Sequence, residues 1–236
     1  MVRRPLGIWI FVAVAVLIVG AALYWDGQRR QALKRVAGEL GFELVAGQHP
    51  LPASLDRAGF YLFTQGPPLV KDRMEGQRGD YQVSIFDFSF AAEKGEEGGR
   101  NLPVADVGQV ENRMQTVVWL QRGGQVLPDL DLSPTRQVLR RIGARSALRR
   151  MTFDGRADFD DRYLLFVRDQ TAARRIFTPR VIDAWVGDPG WFLEGRGEQW
   201  LVYRLSEVVP PEEIAAFLDR AISLVERLAT PGSPSR

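Results

Sequence analysis

The sequence predicts an α+β fold in which an N-terminal transmembrane helix precedes antiparallel β-sheets with packed amphipathic helices. Two observations predict it. Between residues 5 and 25 no charged residue interrupts an apolar run. After that run, roughly eight short strand-like segments are joined by hairpin-sized connections rather than by regular helical crossovers. With 236 residues, of which 45% are hydrophobic, the chain can also bury a sizeable core.

The apolar run reads PLGIWIFVAVAVLIVGAALYW. As a helix of about 21 residues it would cross a hydrocarbon layer ~30 Å thick. Trp9, Tyr24 and Trp25 fall near its ends, where aromatic rings favour the headgroup level. A cleaved signal peptide is the alternative, because Val19-Gly20-Ala21 offers small residues to a peptidase. The run exceeds the usual apolar region of a signal peptide, so we predict a single-pass signal anchor in a bacterial inner (plasma) membrane.

Basic residues beside the run predict its orientation. They are Arg3 and Arg4 before it and Arg29, Arg30, Lys34 and Arg35 after it. Because cytoplasmic flanks carry the excess of Lys and Arg, this bias predicts a cytoplasmic C-terminal domain. A signal anchor that exports its domain also begins with a short basic tail, so the opposite orientation stays open.

The predicted organisation has six parts. They are a tail at 1–4, the transmembrane helix at 5–25, a juxtamembrane helix at 26–41, a first α+β half at 42–132, a second α+β half at 133–229 and a disordered tail at 230–236. In the first half we expect a β-hairpin around Gly79-Asp80. Residues 43–68 are rich in Pro and Gly and read as an irregular connection with one short strand at 60–63.

In the second half, local signals predict further helices and strands. A basic helix is expected over 134–150 and a strand over 163–167. Thr178-Pro179 provides an N-cap and first-turn proline for another helix. Two strands flank Gly195-Arg196-Gly197, and Pro210-Pro211 precedes a C-terminal helix whose apolar residues recur at helical spacing.

Several blocks of residues 28–228 occur in an order that resembles a known family. They include RRQALKRVAGELGFEL, DRMEGQRGDYQVSIFDFSF, LPDLDLSP, FDGRADFDDRYLLFVRD and WLVYR. Together they resemble a family of uncharacterised bacterial proteins with one N-terminal membrane span. The resemblance implies an anchored domain and carries no activity, substrate or functional residue onto individual positions.

The composition excludes several kinds of site. The chain has no Cys and a single His, which removes disulfides, thiolate metal sites, Cys nucleophiles and multi-His metal centres. A net charge of +2 argues against a dedicated nucleic-acid binder. The GxSxG nucleophile motif and the glycine-rich phosphate motifs are absent. No cofactor, catalytic residue or metal ligand is therefore predicted, and nucleic acid is not an expected partner.

Two groups of residues are candidates for a chemical site. His49 lies in a loop between Gln48 and Pro50 with no partner for general-base work nearby in the sequence. A carboxylate-rich stretch could attract a cation, but its spacing does not match a calcium-binding loop. It comprises Asp154, Asp158, Asp160 and Asp161. Whether these four residues bind a cation stays open, because Arg156 and Arg162 can pair with them instead.

The segment between Leu132 and Phe153 contains six Arg and no acid. Such a basic segment can lie against anionic headgroups or simply form a solvated helix face. Together with the basic residues after the apolar run, the residues predicted to contact a membrane surface are Arg29, Arg30, Lys34, Arg35, Arg136, Arg140, Arg141, Arg145, Arg149 and Arg150.

Three functions remain open from the sequence. The first is a membrane-anchored, non-enzymatic interaction domain that binds a protein partner or the membrane surface. The second is a carboxylate-based hydrolase, which needs two converging carboxylates of different pKa. The third is an anionic-lipid-binding domain. The expected partners are the bilayer, through residues 5–25, and an unidentified protein, and the oligomeric state is not predicted.

Overall fold

The computed structural model describes residues 6–90, 114–135 and 147–229. Nine antiparallel strands form one sheet in the order β1-β2-β3-β4-β9-β8-β5-β7-β6. The strands are β1 Glu43–His49, β2 Pro68–Arg78, β3 Tyr81–Phe90, β4 Gln115–Gln121, β5 Leu127–Pro134, β6 Arg149–Met151, β7 Tyr163–Val167, β8 Trp191–Gly197 and β9 Gln199–Arg204. The sheet therefore combines strands from both predicted halves of the chain.

Six α-helices are described around the sheet. They are α1 Leu6–Leu40, α2 Ala53–Arg57, α3 Ala157–Asp160, α4 Gln170–Ile176, α5 Pro179–Gly187 and α6 Ile214–Ala229. The Asp169 side chain caps α4, and the Thr178 hydroxyl accepts a hydrogen bond from the Val181 N–H at the start of α5. These caps satisfy amide groups that the first turn of a helix leaves without partners.

Both faces of the sheet are covered. Along β3, Val83 and Ile85 point to one face, while Phe86 and Phe88 point to the other, as the two-residue period of a strand requires. The first face, here called the helix face, packs against α1 and α3–α6. The second, here called the aromatic face, is covered by residues 53–64, the covering segment, which contains α2 and a 3-10 turn at Tyr61–Thr64.

The helix α1 runs without a break from Leu6 to Leu40. Its C-terminal part packs on the helix face through Leu33 and Ala37, whereas the side chains of Tyr24 and Trp25 are exposed. Just beyond α1, the Phe42 ring lies against Gly76 of β2, where a Cβ would come within 2.6 Å of the Phe42 Cγ. This close approach requires glycine.

The predicted transmembrane helix at 5–25 is corrected. Across the residues that the structure describes, no helix is both long and apolar enough to cross a membrane. The sequence-based prediction treated the apolar run as an element of its own, whereas its described residues are the first part of a longer helix that continues through charged turns. The fold class is α+β with a nine-stranded antiparallel sheet. The same finding contradicts the predictions that depended on this span. These are the single-pass signal anchor, the inner-membrane location and the cytoplasmic orientation derived from them.

Three local predictions also change. Residues 43–49 form the edge strand β1 rather than an irregular connection, and residues 61–64 form a 3-10 turn rather than a strand. Residues 149–151 form the strand β6, so the predicted basic helix over 134–150 is wrong at its C-terminal end. Residues 136–146 of that segment lie outside the described residues. The strand β1 pairs with β2 and β6 pairs with β7, each across an intervening segment, so local periodicity does not reveal these two strands.

Candidate functional site

The basic residues predicted to contact a membrane surface separate into two groups. Arg29, Arg30, Lys34 and Arg35 belong to α1, which contacts β1 and β2 near one edge of the sheet. Arg149 and Arg150 belong to β6 at the opposite edge. The other four predicted residues, Arg136, Arg140, Arg141 and Arg145, lie outside the described part of the chain. The sequence therefore grouped side chains that the fold separates by most of the sheet width.

Arg29 forms a partly buried ion pair. Its Nη2 lies 2.8 Å from Oδ2 of Asp87, and its Nη1 donates to the Val209 carbonyl oxygen over 3.0 Å. The other carboxylate oxygen of Asp87 accepts a hydrogen bond from the Thr116 hydroxyl at 2.7 Å. This network joins α1 to β3, β4 and the segment before α6, so Arg29 serves the packing of α1.

Arg30 is also paired, with Asp26 at 3.0 Å and with the buried Asp72 at 3.3 Å. Lys71 forms a second ion pair with Asp26, and this hydrogen bond holds the pKa of Asp26 below its usual value. Lys34 and Arg35 are exposed on the outer side of α1. Of the four basic residues on α1, these two are thus available to a partner.

At the other edge, five exposed arginines belong to β6 or to the chain that follows its neighbour β7. We call this group the arginine edge: Arg149 and Arg150 of β6, Arg168 after β7, and Arg174 and Arg175 of α4. Arg149 is opposite Val167 and Arg150 opposite Phe166 in the β6–β7 ladder. The Gln170 amide donates to the Arg150 carbonyl oxygen over 3.1 Å and holds the start of α4 against β6.

Sequence reasoning found only the β6 members of the arginine edge. Arg168, Arg174 and Arg175 are 18 or more residues further along the chain than Arg150, and only the pairing of β6 with β7 brings them to the same edge. Arg168 is 63% exposed and pairs with Asp129 at 2.9 Å. Within the described ranges, the arginine edge therefore has one ion pair, Arg168 with Asp129, and its other four arginines are exposed.

The carboxylates of residues 154–161 do not converge on a cation. Arg156 lies 2.9 Å from Asp158 and 2.7 Å from Asp183, and it lowers the pKa of Asp158. Asp160 accepts a hydrogen bond from the Phe153 N–H at 3.1 Å. In the described ranges, no group of three or more His, Asp or Glu side chains is arranged to hold a metal ion. His49 Nε2 lies 2.9 Å from the Ala46 carbonyl oxygen, a local contact within β1.

Two carboxylates that the sequence did not single out as a pair meet under the covering segment. Asp131 of β5 and Glu194 of β8 are 1% and 2% exposed, and Arg196 lies between them. Arg196 Nη2 is 2.7 Å from Asp131 Oδ1 and 3.9 Å from Glu194 Oε2. The Arg196 Nε donates to the Gly59 carbonyl oxygen over 3.2 Å, and its Nη1 donates to Leu130 over 2.9 Å.

Glu194 binds the start of the 3-10 turn. Its carboxylate accepts hydrogen bonds from the N–H groups of Tyr61 and Leu62 and, at 3.0 Å, from the hydroxyl of Tyr203. Burial raises the pKa of Glu194 to about 7, and the nearby charge of Asp131 acts in the same direction, while Arg196 opposes it. We call Asp131, Glu194 and Arg196 the carboxylate cluster.

A hydrolase needs room for a substrate between its two carboxylates. In the carboxylate cluster, the Arg196 guanidinium contacts both acids, and the covering segment lies over Glu194. The raised pKa of Glu194 therefore follows from its burial under the covering segment, and the carboxylate cluster holds this segment on the aromatic face through hydrogen bonds. This arrangement does not favour the hydrolase hypothesis.

These features define an antiparallel α+β domain whose sheet faces are covered and which carries a group of exposed arginines at one edge. No family model matches the chain, and no curated protein matches it. The crystal structure of the mycobacterial trehalose monomycolate transport factor A, TtfA, is similar in fold, with a TM-score of 0.54 and 18% sequence identity. The match covers 88% of this chain and 98% of that chain. It shows a shared fold, and the resemblance to a family of bacterial membrane proteins stays a prediction.

Proposed function

We propose that this chain is a non-enzymatic binding domain that acts in lipid handling and docks on acidic lipid surfaces through the arginine edge. The observation that carries the proposal is the arrangement of Arg149, Arg150, Arg168, Arg174 and Arg175 at one end of the sheet. Each basic residue near an anionic membrane surface contributes about 1 kcal/mol. Several such residues on one edge are enough for reversible, salt-sensitive attachment.

Two further observations support a binding role. The structural neighbour is named as a transport factor for trehalose monomycolate, which is a glycolipid, and the fold similarity extends over nearly all of that chain. In addition, the side chains of the carboxylate cluster are engaged in internal contacts with one another and with the covering segment. A peripheral contact with lipid headgroups is consistent with both observations.

Vesicle flotation of the full chain tests the proposal. We expect co-flotation with vesicles of neutral phosphatidylcholine containing anionic phosphatidylglycerol, little with phosphatidylcholine alone, and loss of binding as salt is raised, because screening weakens exposed charges. Binding that is absent, or equal on both vesicle types, would overturn the proposal. Binding to an acidic protein or to nucleic acid in place of anionic vesicles would also contradict it.

A pair of charge-matched variants locates the contact. Arg149→Glu/Arg150→Glu changes the net charge by the same amount as Lys34→Glu/Arg35→Glu, and both pairs are exposed but lie at opposite edges of the sheet. We expect the first variant to weaken vesicle binding at least tenfold and the second to bind like the unaltered protein. If the two variants lose binding equally, net charge is responsible and the arginine edge is not the docking site.

A further inference from the structure

The covering segment lies on the aromatic face without being paired to a strand. In the described part of the chain, no backbone-to-backbone hydrogen bond joins residues 53–64 to the sheet. The backbone hydrogen bonds of the segment are local, such as that from the Phe63 N–H to the Phe60 carbonyl oxygen over 3.2 Å. A segment without ladder hydrogen bonds can leave a sheet while the strands stay paired. The covering segment is therefore a candidate for local opening.

Two side chains of β8 supply polar links to this segment. Glu194 accepts hydrogen bonds from the N–H groups of Tyr61 and Leu62. Arg196 donates to the Gly59 carbonyl oxygen over 3.2 Å. Gly59 has a φ of +71°, a conformation that favours glycine, and it separates α2 from the 3-10 turn. The links therefore hold the segment where its two helical parts meet.

Glu194 is the titratable group at this attachment, and groups from several elements face it. The Tyr203 hydroxyl of β9 donates to it over 3.0 Å, and the Arg196 guanidinium of β8 lies 3.9 Å away. Asp131 of β5 adds a second negative charge nearby, and the covering segment contributes the Tyr61 N–H. Burial has the largest effect and raises the pKa of Glu194 to about 7, and Asp131 acts in the same direction.

Opening of the covering segment would bring the Glu194 carboxyl into contact with water. Hydration removes the cost of burying its charge, so the pKa returns towards its ordinary value of 4.5. Between pH 4.5 and about 7, the closed segment therefore keeps a proton that the open segment releases. A state that releases protons is favoured as the pH rises. Rising pH consequently shifts the equilibrium towards the open segment.

We propose that the covering segment is a lid over the Phe86 and Phe88 rings, held closed by the buried Glu194 carboxyl, and that it opens locally and more readily above neutral pH while the sheet stays folded. Its opening uncovers two rings that are at most 1% exposed when it is closed. The inference goes beyond the proposed function, because Glu194 and the arginine edge belong to different elements and neither requires the other.

Hydrogen exchange of the full chain, followed by mass spectrometry at pH 5.5 and pH 8, tests the lid. Each rate is divided by the intrinsic amide rate at the same pH. We expect the protection of residues 53–64 to be at least about tenfold lower at pH 8 than at pH 5.5. These residues should also exchange faster than β3 at both pH values, because the lid opens without the sheet.

Two variants connect this response to Glu194. Glu194→Gln cannot ionise, so the difference between the two pH values should shrink to less than about twofold. Tyr203→Phe removes a hydroxyl that favours the carboxylate, so the midpoint of the pH response should move to higher pH. Glu212→Gln, on an exposed glutamate, is the control and should match the unaltered protein.

Three results would overturn the lid: equal protection of residues 53–64 at both pH values, protection equal to that of β3, or an unchanged pH response in Glu194→Gln. If Glu194→Gln does not fold, Tyr203→Phe decides, and a midpoint that does not rise contradicts the proposal. Arg149→Glu/Arg150→Glu separates the lid from the arginine edge, since that variant should lose anionic vesicles and keep the pH response of residues 53–64.

Discussion

Two ion-pair networks, one partly and one largely buried, lie on opposite faces of the same sheet and differ in charge balance. On the helix face, Arg29 pairs with Asp87 and attaches α1. On the aromatic face, Arg196 forms ion pairs with both Asp131 and Glu194, and this network attaches the covering segment. Counted over the described residues, the first network has one acid for one base, whereas the second has two acids for one base.

This difference determines how each network responds to pH. A buried net charge is expensive, so the second network is neutral only when one of its two acids holds a proton. The raised pKa of Glu194 follows from this imbalance and from burial. The Arg29–Asp87 pair has one acid for one base and carries no such imbalance. Attachment of the covering segment should therefore depend on pH near neutrality.

The largest effect is expected from Arg196→Ala. The substitution leaves Asp131 and Glu194 buried without their cation and removes the hydrogen bonds to Gly59 and Leu130. We expect a loss of about 3–5 kcal/mol in the free energy of unfolding at pH 8, measured by urea denaturation. At pH 5 the loss should be smaller, since Glu194 is then protonated. An equal loss at both pH values would mean that the imbalance does not matter.

The next effect is the pH dependence of the unaltered protein. The pKa of Glu194 is about 7 in the folded chain against 4.5 for the ordinary group, so the folded state binds this proton more tightly. Its contribution to stability is therefore greatest below pH 4.5 and is lost as the pH rises to about 7. The loss is at most about 3 kcal/mol, because one pKa unit corresponds to 1.36 kcal/mol.

Glu194→Gln isolates that contribution. Glutamine keeps an acceptor for the 3-10 turn but cannot ionise, so the variant should be more stable than the unaltered protein at pH 8 and similar at pH 5. Glu212→Gln, on an exposed glutamate, is the matched control and should leave the pH profile unchanged. If the free energy of unfolding of Glu194→Gln falls between pH 5 and pH 8 as much as that of the unaltered protein, other groups cause this pH dependence.

The two networks also show what the sequence could and could not predict. The β2–β3 hairpin, the cap of α5 and the C-terminal helix follow from local patterns, because turn residues, caps and helical periodicity act over a few positions. The carboxylate cluster joins β5, β8 and the covering segment. Its one local signal is Glu194 within the apolar strand WFLEG, since a charged residue at a buried strand position needs a partner.

The candidate docking site was only partly predictable for the same reason. The density of arginine before Phe153 is visible in the sequence, and it pointed to Arg149 and Arg150. The pairing of β6 with β7, which adds Arg168 and the two arginines of α4, is a long-range contact. Arg29 was predicted to contact a membrane surface because of its charge alone. Nothing in the sequence indicates that Asp87, 58 residues away, accepts its hydrogen bonds.

A moderate effect is expected from Asp87→Asn on the balanced network. Asparagine is isosteric but removes the charge that Arg29 requires, and Arg29 is 22% exposed, so water can replace part of the lost interaction. We expect a loss of about 2 kcal/mol in the free energy of unfolding, the range for hydrogen bonds to charged groups. A loss below about 0.5 kcal/mol would show that Asp87 does not hold α1 in place.

The smallest effect is expected where charge is exposed. Arg149→Glu/Arg150→Glu should change the free energy of unfolding by less than about 0.5 kcal/mol, because exposed side chains without buried contacts rarely affect stability. Urea denaturation of this variant beside Lys34→Glu/Arg35→Glu checks it. A loss above about 1 kcal/mol would show that the β6 arginines stabilise the edge strand, and any loss of vesicle binding would then follow from unfolding. Unchanged stability with lost vesicle binding would instead show that Arg149 and Arg150 bind lipid without stabilising the fold, unlike Arg29 and Arg196.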